Sequence, residues 1–274
     1  MLSVDLDLAC RLEIAYAWRG IHYAQARGRL RPEVEIAVQS VGGGYAIDAG
    51  QGSPVNRAMG LGLHGPVDGT DLASVEQFYG QRGAVPRVDL CPLADLSLLQ
   101  VLRCGGYRLE QFYSVLVRYV VEDAHPVPLP PGVRVRKVGS GERKLWLRTV
   151  AQGFTGEAAP PQEAFDMLAP NFASVTAIPY LAWVDGQPAG GGAMVTHGGV
   201  AELCSDGTRA AFRRRGVQSA LIRARLVAAR EAGCDLAMAL TAPGSASQRN
   251  MERAGFRLAY TKTVMEKEPA GGHG

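Results

Sequence analysis

The chain has 274 residues, of which 47% are hydrophobic and 20% are charged, so it holds enough apolar material for a folded core and is not a disordered polypeptide. Its formal net charge of +3 is too small to indicate nucleic acid or a membrane surface as the main partner. Five cysteines without a C-x-x-C pair argue against a zinc site or a disulfide framework, and we predict no metal. The sequence shows neither a signal-like start nor an apolar stretch of 18 residues, which predicts a cytoplasmic location.

In the first half of the chain, a helix-like stretch closes at Gly83 and a strand-like segment follows at residues 88–90. The clearest break comes next, in a proline-rich stretch that ends at residue 132. Clustered prolines fit neither a helix interior nor a central strand, so this stretch predicts an extended linker. We therefore predict a first domain, a linker, a second domain and a disordered tail, at residues 1–122, 123–132, 133–268 and 269–274.

The second half shows alternating strand and helix signals. Asp185-Gly186 predicts a tight hairpin turn, and Gly233 predicts the end of a helix. The predicted strands are 180–184, 193–196, 200–208, 236–240 and 258–265, and the predicted helices are 217–232 and 245–254. This order predicts an α+β fold, with a mixed, mostly antiparallel sheet flanked by helices.

The two halves also share features at a nearly constant offset. A Gly-aromatic-Arg-Leu sequence occurs at residues 106–109 and again, 149 residues later, at 255–258. Gly83 and Gly233 close helix-like stretches 150 residues apart. Two matches at almost the same offset predict a duplicated unit.

A basic turn lies between the strand at 200–208 and the helix that follows it. Its sequence from Arg213 is RRRGVQSAL. The start of the following helix presents unpaired backbone N–H groups and the positive end of the helix dipole, which suit a phosphate or pyrophosphate. The alternatives are a solvated basic turn or a nucleic-acid patch, and the latter lacks the surrounding basic and aromatic residues that such patches use.

This segment resembles the Arg/Gln-x-x-Gly-x-Gly/Ala signature of the GNAT N-acetyltransferases. Arg213 matches the first position and Gly216 the fourth, while Gly255-Phe256 resembles the pair that closes the family's second cofactor motif. The resemblance covers about residues 133–268. Together with the repeat, it implies two tandem GNAT-like domains, the first of them a degenerate copy.

The corresponding turn of the first half falls at residues 63–68. It has no arginine and carries a proline near the required glycine. We expect this copy to bind no coenzyme A and to form a wall of the acceptor pocket.

The resemblance implies direct transfer of the acetyl group of acetyl-CoA to a primary amine. An ammonium cannot attack a thioester, so a base must first remove a proton, and the carbonyl oxygen needs a donor as its charge develops. Glu202 stands where many family members carry a glutamate and is the preferred base, with Asp206 second; a backbone N–H near Asp206 to Thr208 is the predicted donor. The predicted acetyl-CoA contacts are Thr208, Arg213, Arg214, Arg215, Gly216, Val217, Gln218, Ser219, Ala220 and Asn250.

Two residues depart from the family pattern. Gln218 replaces a glycine or alanine, which would alter one close backbone approach to the pyrophosphate. Met251 replaces the tyrosine that frequently serves as general acid. Tyr260 is the remaining candidate acid. The alternative is that it is an ordinary aromatic residue of the sheet. Asn250 would bond pantetheine or a bound water, or be a plain surface residue.

The departures leave rival functions open. One is a non-catalytic acyl-CoA-binding or regulatory module, and another is an acyltransferase that uses a different acyl-CoA or an oxygen or sulfur acceptor. We predict a small-molecule amine as partner, no nucleic acid or membrane partner, and a monomer or homodimer. No motif identifies the acceptor.

Overall fold

A computed structural model of the chain describes residues 4–120 and 130–268. Most of the predicted linker and all of the predicted tail lie outside the described residues. The described residues fall into two compact units. Unit 1 is drawn from Met1–Val115, Thr241–Pro243 and Leu258–Gly274, and unit 2 from Leu116–Leu240 and Gly244–Arg257.

The helices and strands are numbered here in chain order. The helices are α1 (Leu6–Leu30), α2 (Gly69–Gly80), α3 (Leu96–Cys104), α4 (Arg143–Thr155), α5 (Gln162–Ala173), α6 (Val217–Glu231) and α7 (Ala246–Arg253). The strands are β1 (Ala37–Val41), β2 (Gly44–Asp48), β3 (Arg57–Met59), β4 (Arg87–Leu90), β5 (Tyr107–Tyr119), β6 (Val133–Lys137), β7 (Ala177–Val184), β8 (Gln187–His197), β9 (Val200–Thr208), β10 (Leu236–Thr241) and β11 (Arg257–Lys267). In the part of the chain that the structure describes, none of the helices has the length and apolar character needed to cross a membrane.

Unit 1 is built on strands in the order β1-β2-β3-β4-β11-β5. Neighbouring strands from β1 to β3 are antiparallel, β3 and β4 are parallel, and β4 and β11 are antiparallel. Because side chains alternate along a strand, Ala46 and Ala58 face the apolar cluster of α2 and α3, while Ile47 and Met59 approach Gly20 of α1. Helices therefore cover both faces of these strands.

Unit 2 follows the order β10-β9-β8-β7-β6, with the last residues of β5 beside β10. All pairs from β6 to β9 are antiparallel, and β9 and β10 are parallel. Leu181 and Ala193 pack with α4 and α5, whereas their chain neighbours Ala182 and Met194 pack with α6. The hairpin between β7 and β8 turns through Asp185 and Gly186 with positive φ angles of 52° and 80°, as its sequence predicts.

The predicted repeat is visible in the secondary structure. A helix, a strand, a helix and a strand follow in the same order in each half: α2, β4, α3 and β5, then α6, β10, α7 and β11. Each counterpart begins 148 to 150 residues after its partner; the paired first residues are Gly69 and Val217, Arg87 and Leu236, Leu96 and Ala246, and Tyr107 and Arg257. In both halves the strand before the first helix is parallel to the strand after it.

The predicted α+β class is confirmed, with mostly antiparallel strands flanked by helices in each unit. From Leu258 onward, β11 groups with unit 1, because it pairs with β4. The domain boundaries drawn from the sequence stay a prediction.

Candidate active site

Strand β9 carries a bulge in the middle of unit 2. Gly191 of β8 pairs with Gly207 of β9, and Ala193 pairs with Cys204. Two residues of β9, Ser205 and Asp206, therefore lie opposite Gly192 alone. The first of the two, Ser205, has a positive φ of 55°. Such a bulge changes the direction of the backbone that follows it. The predicted backbone donors, residues 206–208, begin with Asp206, the second residue of the bulge.

The parallel strands β9 and β10 pair over only three residues. The last pair recorded in the described residues is Glu202 with Met238, although β9 continues to Thr208 and β10 to Thr241. Among the described residues, the recorded pairing between β9 and β10 therefore ends at Glu202. A gap at the carboxyl ends of parallel strands is a common place for ligands in sheets flanked by helices.

Three consecutive glycines of β8 allow the neighbouring elements to approach this bulge. A Cβ atom added to Gly190 would lie 2.8 Å from the carbonyl oxygen of Gly207. One added to Gly191 would lie 2.7 Å from a methyl group of Val150, and one added to Gly192 would lie 2.7 Å from a side-chain nitrogen of Arg225. The approaches come from β9, α4 and α6 in turn. These glycines are not among the site residues predicted from the sequence, although a run of glycines inside an apolar strand signals close backbone contact.

Asp206, the second predicted base, is the partner of a buried cation. The Arg225 guanidinium is fully buried and binds both carboxylate oxygens of Asp206, one of them at 3.1 Å. It also donates to the carbonyl oxygens of Leu221 at 3.1 Å and Ala193 at 3.0 Å. The pair therefore ties α6 to β8 and β9 at the bulge. Taking up a substrate proton would compete with this ion pair.

Glu202, the preferred base, lies on β9 where pairing with β10 ends. It is 3% exposed, and its neighbours across the strands are Val195 and Met238. Alternation along β9 places its side chain on the face of Cys204, which packs with α4, opposite to Leu203, which packs with α6 and α7. Glu202 and Asp206 therefore point to different faces of the strand.

The turn before α6 leaves that helix without a side-chain cap. Gly216 is its N-cap residue, with a φ of 76°, and the first helical bond runs from the Ala220 N–H to the Gly216 carbonyl. Within the described residues, the N–H groups of Val217, Gln218 and Ser219 have no hydrogen-bond partner. Three unpaired donors at a helix N-terminus suit an anion.

The three arginines of the turn have different surroundings. Arg213 reaches back to the carbonyl oxygens of Thr208 at 3.4 Å and Gly153 at 3.5 Å, which ties the turn to β9 and α4. Arg215 forms an exposed ion pair with Asp185 at 2.7 Å. Arg214 is exposed, and its own φ is positive at 62°. The structure thus brings Thr208, Arg213 and the start of α6 together.

Asn250 joins this group from α7. Its amide nitrogen donates a hydrogen bond to Gln218 Oε1 at 2.6 Å, and its amide oxygen accepts one from Arg253 at 2.9 Å. Gln218 of α6 and Asn250 of α7 are both half-buried.

Neither Met251, which replaces the family tyrosine, nor Tyr260, the remaining candidate acid, is placed to give up a proton readily. Met251 is buried in an apolar cluster with Ile222 and Phe256 and has no proton to give. Tyr260 belongs to unit 1, where its hydroxyl donates to Glu13 Oε1 at 2.9 Å. Burial and the Glu13 carboxylate raise the pKa of Tyr260 well above its ordinary value. The structure therefore does not group Tyr260 with Glu202 and Asp206 in unit 2.

The equivalent helix of unit 1 has its own anions at its N-terminus. The Asp68 carboxylate accepts hydrogen bonds from the N–H groups of Thr70 at 2.8 Å and Asp71 at 3.2 Å, and Asp71 bonds the Asp68 N–H in return. The Thr70 hydroxyl also donates to the Asp68 carboxylate at 2.6 Å, and this bond, followed by the two backbone bonds, lowers the pKa of Asp68. A second anion would meet two carboxylates here, which supports the expectation that this copy binds no coenzyme A. Across residues 4–120 and 130–268, no cluster of three or more His, Cys, Asp or Glu side chains could hold a metal ion.

Comparison with known proteins places the chain among acetyltransferase folds. The family model described as "Acetyltransferase (GNAT) family" matches residues 146–256. A search of curated proteins finds no match to the sequence.

Three solved structures share the fold over most of their length. A GCN5-related N-acetyltransferase from Kribbella flavida is 19% identical, with 91% of this chain and 95% of that chain covered and a TM-score of 0.65. A tandem GNAT protein from the clavulanic acid biosynthesis pathway is 16% identical, with coverage of 86% and 84% and a TM-score of 0.60. A GNAT-family acetyltransferase from Colwellia psychrerythraea is 12% identical, with 87% of each chain covered and a TM-score of 0.54.

The family match falls on the half that carries the basic turn, and the similarity to a tandem GNAT protein extends over both halves. Both agree with the resemblance drawn from Arg213, Gly216 and Gly255-Phe256. The chain therefore carries a domain of the GNAT acetyltransferase family at residues 146–256, within a tandem GNAT fold.

Proposed function

We propose that this protein is an N-acetyltransferase that moves the acetyl group of acetyl-CoA directly to the amine of a small molecule. The observation that carries the proposal is the start of α6, which has no side-chain cap and directly follows a basic turn in a GNAT-family domain. The residues present fit a pyrophosphate. Among the described residues, the N–H groups of Val217, Gln218 and Ser219 have no partner, so they can bind it. Residues 213–219 include no acidic side chain, in contrast to Asp68 at the start of α2.

Glu202 is proposed to remove the proton from the acceptor ammonium. A neutral amine is needed for attack on the acetyl carbonyl carbon, after which the carbon–sulfur bond breaks and coenzyme A leaves as a thiolate. The backbone of β9 at residues 206–208, from the second residue of the bulge onward, is proposed to donate to the carbonyl oxygen as its negative charge grows. Arg225 supports this role, because it fixes the bulge through Ala193 and Asp206.

Met251 favours one alternative function. Because the thioether cannot protonate a leaving thiolate, the domain would bind an acyl-CoA and serve as a non-catalytic or regulatory module. In an enzyme, the thiolate would instead take its proton from the solvent or from the acceptor amine. A different acyl-CoA and an oxygen or sulfur acceptor stay alternatives from the sequence, and a cytoplasmic location and a monomer or homodimer state stay predictions.

Calorimetric titration of acetyl-CoA into the full chain tests the proposal, with NAD and ATP as control ligands. We expect one site per chain for acetyl-CoA, because the start of α2 is capped by Asp68, and no binding of the controls. Two sites would show that unit 1 retains a coenzyme A site, and no binding would overturn the function. Release of free thiol with a panel of small amines then separates the enzyme from the binding module.

Gly216→Ala is expected to weaken acetyl-CoA binding by at least 10-fold. An alanine is strained at a φ of 76°, and its Cβ would lie 2.5 Å from Pro130, so the turn has to move. Gly233→Ala is the matched control, since Gly233 has a φ of 75° with nothing within 4 Å of the added Cβ and lies at the far end of α6. Calorimetry should show a loss of affinity for the first variant alone, and equal affinities would contradict this role of the turn.

A further inference from the structure

We propose that the side chain of Gln218 is itself a ligand of the coenzyme A pyrophosphate, oriented by Asn250 and Arg253. The inference rests on the proposed function, since it concerns the same site. It gives an active role to the residue that departs from the family signature. Where the signature has glycine or alanine, the chain would exchange a close backbone approach for a side-chain donor.

Arg253 sets the direction of these hydrogen bonds, because a guanidinium can only donate them. Arg253 Nη1 lies 2.9 Å from Asn250 Oδ1, so this amide atom must be the oxygen. The amide nitrogen of Asn250 then faces Gln218 and donates to its Oε1 at 2.6 Å. The order of donors and acceptors along these three residues is therefore fixed by the arginine at one end.

This order decides which end of the Gln218 amide is available. Its oxygen accepts from Asn250, and its Nε2 group has no partner among the described residues. Two N–H donors are thus left at the second residue of α6, beside the unpaired backbone N–H groups of residues 217–219. If the amide were reversed, an oxygen would stand there and would repel an anion.

The surrounding charge favours the same ligand. Arg214, four residues before Gln218, and Arg253, which bonds Asn250, are exposed cations, and the helix dipole adds a positive potential at the start of α6. A phosphate oxygen accepts hydrogen bonds only, so it matches a group of donors. Because Asn250 already holds the side chain, Gln218 loses little further freedom when it binds.

The competing explanation is that Gln218 and Asn250 only tether α6 to α7. Binding of two ligands separates the explanations: coenzyme A, which has the pyrophosphate, and pantetheine, which lacks it. We expect Gln218→Gly, which restores the family residue, to weaken coenzyme A binding about 10-fold in calorimetry and to leave pantetheine binding unchanged. Gln218→Glu is nearly isosteric and places a carboxylate oxygen at the phosphate, so its loss should exceed 100-fold.

Asn250 and Arg253 are tested as positioning residues. Asn250→Ala should weaken coenzyme A binding in the wild-type background and have no further effect in the Gln218→Gly background, because both changes remove one interaction. Arg253→Met should weaken coenzyme A binding more than Arg249→Met. Both variants remove one positive charge from α7, but Arg249 donates to the Gly244 carbonyl, whereas Arg253 donates to Asn250. Additive effects of the first pair would contradict the orienting role.

The outcomes distinguish this inference from the proposed function. If the wild-type chain does not bind coenzyme A, both are overturned. If the wild type binds and Gln218→Gly binds as tightly, only the role of Gln218 is overturned. If Gln218→Gly loses the same factor for pantetheine and coenzyme A, the residue is a tether.

Discussion

Lys262→Met is expected to lower the free energy of unfolding by about 3–5 kcal/mol, a large share of the stability of an ordinary domain. Lys262 Nζ lies 2.8 Å from Glu13 Oε2 and 2.9 Å from Asp89 Oδ2. Each of the three side chains is at most 2% exposed. The variant leaves two carboxylates buried without their cation, which costs far more than the net contribution of the ion pairs themselves.

Methionine was chosen because it keeps most of the packing. Its unbranched chain fills the volume of the lysine stem and remains near the ring of Tyr16. In the wild type, Lys262 Nζ lies 3.9 Å from the centroid of that ring. Arg57 is the other cation of the cluster, and its 3.5 Å contact with Asp89 is too long to replace the lost partner. The expected loss is therefore electrostatic in origin.

Urea unfolding measures this loss, with Lys267→Met as the matched control. Lys267 lies on the same strand and forms an ion pair with Glu76 at 2.9 Å, but both side chains are about one-third exposed. Exposed pairs contribute about 1 kcal/mol or less. Equal stabilities of the two variants would contradict this prediction, because they would show that the buried carboxylates of Glu13 and Asp89 do not depend on Lys262.

The pH dependence of the Lys262 effect has a definite sign. Burial alone would lower the pKa of Lys262, but Asp89 and Glu13 outweigh it and raise the pKa above the ordinary 10.5. A raised pKa means that the stabilisation by the protonated lysine is complete below the unfolded value and is lost as the pH rises through the folded one. The difference between wild type and Lys262→Met should thus stay constant from about pH 7 to 10 and shrink only at higher pH.

Local signals in the sequence predicted much of unit 2. The turn at Asp185-Gly186 and the helix end at Gly233 depend on φ angles that glycine and aspartate adopt readily, so they can be recognised without the rest of the fold. The predicted strand at 200–208 coincides with β9, and the constant offset between the halves predicted the repeated order of elements.

Contacts between distant residues could not be predicted in the same way. Glu13 and Lys262 meet across 249 positions, and nothing near either residue signals the other. Asp206 is a plausible base in the sequence, and its ion pair with Arg225 depends on how α6 packs against the bulge of β9. The partner of a charged side chain is decided by packing, which local patterns do not encode.

Glu202→Gln is expected to lower kcat by about 100- to 1000-fold and to leave acetyl-CoA affinity within a factor of two, since general bases contribute roughly 10²- to 10⁴-fold. Glutamine keeps the size of the side chain but cannot accept a proton. Glu202 does not belong to the turn that is proposed to hold the pyrophosphate, which lies at residues 213–219. The change therefore separates proton transfer from cofactor binding.

The comparison with Asp206→Asn makes this test specific. That variant weakens the interaction with buried Arg225, so we expect it to lower stability and acetyl-CoA affinity together through the bulge of β9. Thermal unfolding, calorimetry and steady-state rates on both variants give each a distinct pattern. A Glu202→Gln enzyme with the wild-type rate and pH profile would remove Glu202 from the mechanism. If Asp206→Asn then lost its rate at full stability and affinity, the base would be Asp206, which would have to exchange its partner Arg225 for the acceptor amine during each turnover.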